Sequence, residues 1–264
     1  MTVRIEKQGR VWTVIHSRPE ARNAMDPESA DALLDAFQRF DADKDAAAAV
    51  LWGEGGAFCA GFDLKFASKL TTSDIAGLDF PSNNHSIPRG PMGPTRLELD
   101  KPVIAAIAGP AVAGGFELAL WCDVRVMEES AYFGVYCRRW GVPLVDGGTV
   151  RLPRVVGMGR ALELILTGRK LPADEALRVG ACEHMVPDGT ARQFAEAMAH
   201  EIARFPQGCL RADRRSVHLQ QGLSLREAMR EEWRNGAPVL AAEAVEGATR
   251  FASGKGRHGD FGNI

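Results

Sequence analysis

The run from Pro102 to Asp123, PVIAAIAGPAVAGGFELALWCD, constrains what this chain can fold into more than any other segment. Val103 to Ile107 is an apolar run too short for a helix; Gly109, Gly114 and Gly115 punctuate the residues after it, and Phe116 to Cys122 resume at helical spacing. The segment therefore predicts a buried strand, a glycine turn and a helix. Such a turn leaves backbone N–H groups at a helix N-terminus free to meet an anion. Glu117 falls in the first helical turn, just after Gly114. A Gly114 N–H and a Glu117 carboxylate would then face one small volume, an oxyanion donor beside an acid or base. The helix dipole alone also favours a first-turn carboxylate, without any chemistry.

A second unit of the same kind lies upstream. Ala49 to Gly53 reads as a strand, and EGGAFCAGFDLK, from Glu54 to Lys65, as a glycine-rich turn leading to a helix. The recurrence predicts a repeated β-turn-α architecture whose turns line one site. Around these units, Val3 to Lys7 and Val11 to His16 flank Gly9 as a hairpin. Asp26-Pro27 opens an amphipathic helix carrying Ala30, Leu33, Leu34 and Phe37. Residues 71–94 are dense in Pro, Gly and Asn and read as a mobile loop able to cover a pocket. Two strands (123–127 and 131–133), a turn (140–149), a helix from Val150, and helices 158–167 and 173–179 closed by Gly168 and Gly180 come next. Asp146 is a natural N-cap for the helix after Gly147.

The tail changes character near Asp188. Residues 190–205, 209–221 and 224–252 are helical patterns without strands, the last opening on a Ser224/Glu227 capping box and kinked near Pro238. The expected organisation is a body of residues 1–188 and a helical appendage of residues 189–264. Leu210, Leu225, Met229 and Trp233 give the appendage more apolar stripe than it buries alone, so it should pack on the body or on another subunit.

Composition narrows the function classes. With 264 residues, 45% hydrophobic and 25% charged, the chain can bury one large core. A net charge of −2 gives no electrostatic footprint for nucleic acid. Cys59, Cys122, Cys137, Cys182 and Cys209 show neither CxxC nor Cys/His ligand spacing, so no disulfide framework and no metal site are expected. The first residues carry no signal-peptide pattern, and no apolar run reaches the roughly 18 residues of a membrane span. A cytoplasmic location without membrane association is the expectation.

Taken together, RPEARNAM (from Arg18), AFCAGFDLK (from Ala57), KPVIAAIAG (from Lys101), GGFELALWCD (from Gly114), Phe133-Gly134, GGTVRLP (from Gly147) and Leu166-Thr167-Gly168 resemble, in this order, the crotonase (enoyl-CoA hydratase/isomerase) superfamily. The resemblance covers nearly the whole chain. It implies an α/β fold: a repeated ββα spiral body with a C-terminal helical trimerisation region, assembled as a homotrimer or a dimer of trimers. It also implies an acyl-CoA thioester as substrate, with no separate cofactor because coenzyme A is part of the substrate. The thioester oxygen would be held by the backbone N–H groups of Phe62 and Gly114, with Glu117 as the acid/base group. By family position Arg22, Ala24, Ala60, Asp63, Leu64, Lys65, Phe251 and Lys255, with Arg257, would meet coenzyme A, and Phe66 and Trp140 would wall the acyl pocket.

Hydratases of that family use a second glutamate, and this chain has Cys137 there. A neutral thiol is a poor substitute for a carboxylate in activating water. Read by itself, Cys137 is a small buried hydrophobe, with Arg138 and Arg139 the sole sign of a lowered thiol pKa. Asp146 lies where the family's dienoyl-CoA isomerases carry a catalytic aspartate, and is the candidate for the second functional group. The family's dehalogenases place a histidine where Gly90 stands here; His85 nearby receives no role. Enoyl-CoA hydratase is the expected activity. An enoyl- or dienoyl-CoA isomerase using Glu117 and Asp146, or an acyl-CoA-binding protein that has lost catalysis, are the alternatives.

Overall fold

A computed structural model describes residues 2–80, 88–256 and 258; His85 and Arg257 lie outside the described residues. Its strands are β1 (Val3–Gln8), β2 (Val11–His16), β3 (Ala48–Gly53), β4 (Val103–Ile107), β5 (Pro110–Val112), β6 (Val124–Glu128), β7 (Tyr132–Gly134), β8 (Lys170–Pro172) and β9 (His184–Val186). Its helices are α1 (Pro27–Ala42), α2 (Leu64–Ala67), α3 (Thr72–Ala76), α4 (Gly114–Trp121), α5 (Gly148–Val156), α6 (Met158–Thr167), α7 (Ala173–Val179), α8 (Ala191–Arg204), α9 (Gln207–Leu219), α10 (Leu225–Val239) and α11 (Val245–Ala252).

The large sheet has the order β1-β2-β3-β4-β6-β9, with β1 and β2 antiparallel and every later pair parallel. Strands β2 and β4 are buried along their whole length, which is why they read as continuous apolar runs rather than alternating ones. A small second sheet, β5-β7-β8, accompanies it. A single row crosses that second layer: Cys59 bridges Ala111, Ala111 pairs with Phe133, and Phe133 with Leu171. After β3 the chain bridges that layer at Cys59, after β4 it forms β5, and after β6 it forms β7, so each turn of the chain adds to both layers. This is the ββα spiral. The glycine turns thereby come to lie beyond the carboxyl ends of adjacent parallel strands, where α/β sheets place their ligands.

Helix α1 begins as its sequence dictates: Asp26 accepts from the Ser29 amide at 2.9 Å with Pro27 in the first turn, a cap worth about 1 kcal/mol. Its buried face carries Leu33, Phe37 and Phe40, with Phe37 packed edge-on against Trp121 at 4.9 Å. Lys101 is buried at its other end and donates to Phe40 O at 2.9 Å and to Asp43 O, placing a cation at the helix C-terminus. Within the stretch read as an irregular loop, α3 forms on a capping box between Thr71 and Asp74.

Two compact units are present: residues up to Ile202, and residues from Ala203 onward. The division thus falls later than Asp188, because α8 packs on the body. Ala191, Ala195 and Ala199, each four residues from the next, form its buried face; Glu196 accepts from the Thr13 hydroxyl at 2.8 Å, and Arg192 pairs with Glu6. In the second unit, Ser224 and Glu227 form the expected capping box. Pro238 lies inside α10, and the chain widens to a π turn over Leu240–Ala244 before α11. Glu243 accepts from the Gly208 and Cys209 amides at 3.0 Å each, capping α9. No helix among the described residues is long and apolar enough to cross a membrane.

Candidate active site

The two glycine turns meet. Met25 bridges Phe62, with Met25 N–H donating to Gly61 O at 2.7 Å and Asp63 N–H to Met25 O at 2.8 Å. Gly61 has φ +92°, and a Cβ there would lie 2.9 Å from Ala113 Cβ and 3.1 Å from Gly114 N, so a side chain is excluded both by conformation and by space. Gly115 is packed more closely still, with its Cβ position 2.1 Å from Cys59 O. Ala113, the residue before α4, adopts φ +54° and ψ −124°, a region costly for any residue with a Cβ. Its N–H donates to Gly134 O at 2.8 Å, and its carbonyl receives the Phe116 and Glu117 amides. The amides of Phe62 and Gly114 donate to no acceptor among the described residues. Gly61 sets these two unused donors beside each other.

Glu117 is buried in the first turn of α4. Its Oε1 accepts from Asp146 N–H at 2.9 Å and from Gly148 N–H, the first residue of α5, at 2.8 Å. A Cβ on Gly148 would come within 3.0 Å of Oε1, so the glycine is what lets the carboxylate approach. Burial and the neighbouring Asp146 charge push its pKa up to about 7, against the two amides and Arg151, which pull it down. A carboxyl so placed can both take and return a proton near neutral pH.

Asp146 is buried, but it does not cap the following helix: Gly147 is the N-cap, without a side-chain bond. Asp146 Oδ1 instead accepts from Met92 N–H at 3.1 Å and from the Thr95 hydroxyl. Burial raises its pKa despite those two donors. Cys137 is buried and lies within electrostatic reach of Glu117; burial, and then the Glu117 charge, hold its thiol above the ordinary value. The Arg138 charge pulls the other way without reversing this shift; Arg138 Nε donates to Ile165 O at 3.2 Å, and Arg139 lies over the Tyr136 ring.

The remaining predicted positions fall into two groups. Ala60 N–H donates to Arg22 O at 3.0 Å, and Arg18 joins Ala24 O, Asp26 and Asp63, so Arg22, Ala24, Ala60 and Asp63 stand together. Asp63 also caps α2, whose Leu64, Lys65 and Phe66 are exposed; Phe66 meets Phe62 edge-on at 6.2 Å. Trp140, at the end of the Cys137 turn, is exposed. Phe251 and Lys255 belong to the second unit and are exposed there. Sequence reasoning missed Met92, Thr95 and Arg151, whose relation to the site is set by residues far away in the chain. Arg151 donates to Asp146 O at 2.9 Å and to Thr95 O at 2.7 Å.

The family model described as enoyl-CoA hydratase/isomerase matches residues 6–257. The chain is 36% identical to Enoyl-CoA hydratase EchA19 of Mycobacterium tuberculosis, over 94% of this chain and 92% of that one. It is 38% identical to a putative enoyl-CoA hydratase of Thermus thermophilus, over 86% and 88% of the two chains. The crystal structure of an enoyl-CoA hydratase from M. tuberculosis superposes with a TM-score of 0.86 at 32% identity, covering 96% of both chains. That of an enoyl-CoA hydratase from Bacillus anthracis gives 0.86 at 28% identity, again over 96% of each. With its spiral of two sheets, its paired glycine turns and this likeness along its whole length, the chain belongs to the enoyl-CoA hydratase/isomerase family of the crotonase superfamily.

Proposed function

We propose that the protein is an enoyl-CoA hydratase in acyl-CoA metabolism, with Glu117 as its acid/base group. The observation that carries this reading is a buried carboxyl with a pKa near 7, fixed by two amides beside two unused backbone donors. In the reaction, Glu117 takes a proton from water, the hydroxyl oxygen bonds to C3 of the enoyl thioester, and the C2–C3 π electrons pass to the thioester oxygen. The Phe62 and Gly114 N–H groups hold that oxyanion, each worth about 3–4 kcal/mol. Glu117 then returns its proton to C2. Coenzyme A would lie along Arg22, Ala24, Ala60, Asp63, Leu64 and Lys65, and Phe66 and Trp140 would wall the acyl chain. No separate cofactor enters the chemistry. The free thiols suit a reducing cytoplasm.

Cys137 makes this hydratase slow, because its thiol does not help to handle water. Purified protein should consume crotonyl-CoA, seen as loss of the conjugated thioester absorbance, and Cys137→Glu should raise the rate about tenfold or more. Tight binding of the thioester without product would point to a binding protein; movement of the double bond without water addition, to an isomerase. Fast wild-type turnover that Cys137→Glu leaves unchanged would contradict the role given to residue 137.

The second unit exposes Leu225, Met229 and Trp233 on α10, together with a groove of about 680 Å³ that Met229, Trp233 and Leu240 help to line. Faces of this kind become buried between subunits. The protein should sediment as a homotrimer or a dimer of trimers at micromolar concentration; a monomer there would contradict the assembly.

A further inference from the structure

We propose that Asp146 is a positioning residue for Glu117, pinning with its carboxylate the turn whose amides hold Glu117, and carrying no substrate proton itself. This rests on the reading of Glu117 as the acid/base group. Asp146 addresses its two partners with different atoms: its backbone N–H goes to Glu117 Oε1, while its side-chain Oδ1 goes to Met92 N–H and the Thr95 hydroxyl. Oδ1 is further hemmed in by Gly90, whose Cβ position lies 2.5 Å away. Arg151 ties the same two segments by their carbonyls, Asp146 O and Thr95 O. The 90–95 turn is thus locked to the turn that presents the Asp146 and Gly148 amides to Glu117. A carboxylate does there what a neutral acceptor would not: its charge faces Glu117 within a buried volume and favours the protonated form of its neighbour. Among the described residues, the charged and titratable groups facing Glu117 are Asp146, Arg151 and Cys137; those facing Asp146 are Glu117, Cys59, Arg96 and Arg151.

The test compares Asp146→Asn and Asp146→Ala with the wild type, in crotonyl-CoA hydration from pH 5.5 to 9 and in titration of the Glu117 carboxyl carbon by NMR. That signal is assigned by its disappearance in Glu117→Gln. Asn still accepts from Met92 and Thr95 but carries no charge. Its turnover at pH 8 should therefore stay within about threefold of wild type, while the Glu117 titration and the rising limb of the rate profile move down by about one pH unit. Asp146→Ala frees the turn, and kcat should fall about tenfold or more with KM little changed. A hundredfold loss in Asp146→Asn with an unmoved Glu117 titration would make Asp146 a proton carrier and overturn the proposal. Wild-type rates and an unmoved titration in both variants would overturn it as well. Should Glu117→Gln remain active, the reading of Glu117 fails separately, and the carboxyl titration still decides whether Asp146 acts on Glu117.

Discussion

Glu117→Gln should lower crotonyl-CoA hydration about a thousandfold, within the range of a lost general acid or base, while leaving the protein folded and able to bind the thioester. The glutamine oxygen can still accept from the Asp146 and Gly148 amides, so the geometry of the turn is kept and only the exchangeable proton is lost. Two pH signatures accompany the change. In the wild type the rate should climb as pH rises through about 7, where Glu117 ionises. Stability should move the other way. The folded pKa, about 7, lies above the ordinary 4.5, so the contribution of this group is fully present below pH 4.5 and is lost as pH rises through 7. Above pH 7 the glutamine variant, free of that loss, should be the more stable of the two. Turnover within tenfold of wild type would remove Glu117 from the chemistry.

Gly115→Ala is the substitution with the largest expected effect on the fold itself. The added Cβ would sit 2.1 Å from Cys59 O and 2.8 Å from Cys59 C, both backbone atoms that cannot swing aside. Either the start of α4 or the Cys59–Phe62 run must move, at a cost of about 3 kcal/mol or more. For a chain of this size that corresponds to a fall in melting temperature of roughly 6–12 °C. Because the same displacement separates Gly114 from Phe62, turnover should fall with it. Gly159→Ala in α6 is the control: nothing lies within 4 Å of its Cβ position, and the substitution should hold or raise the melting temperature. Equal melting temperatures for the two variants would show that the close approach at Gly115 is not maintained in solution.

The sequence carried much of the frame, since the features concerned are local. The hairpin about Gly9, the Asp26 cap, the β3 and β4 cores and the helices closed by Gly168 and Gly180 depend on patterns a few residues long, and they form where those patterns place them. Strands β5, β8 and β9 are three residues each, too short for any periodicity, and exist because a neighbouring strand supplies their hydrogen bonds. Helix α8 reads as part of the tail by composition, yet its alanines fit the body closely enough to extend the first unit to Ile202.

What the sequence determined by itself was the pair of glycine turns and a carboxylate in the first turn of a helix, because glycines and a helix start leave a signature within one short window. What only the tertiary structure decided was the use of the other polar groups. Asp146 reads locally as a helix cap, but its side chain goes to Met92 and Thr95, about fifty residues earlier, while its backbone serves Glu117. Cys137 reads as a small buried hydrophobe with two arginines beside it, and in the fold burial and the Glu117 charge outweigh the pull of Arg138 and hold the thiol above its ordinary value. Partner choice and proton affinity depend on burial and on distances between segments remote in the chain, and neither quantity exists until the spiral has closed.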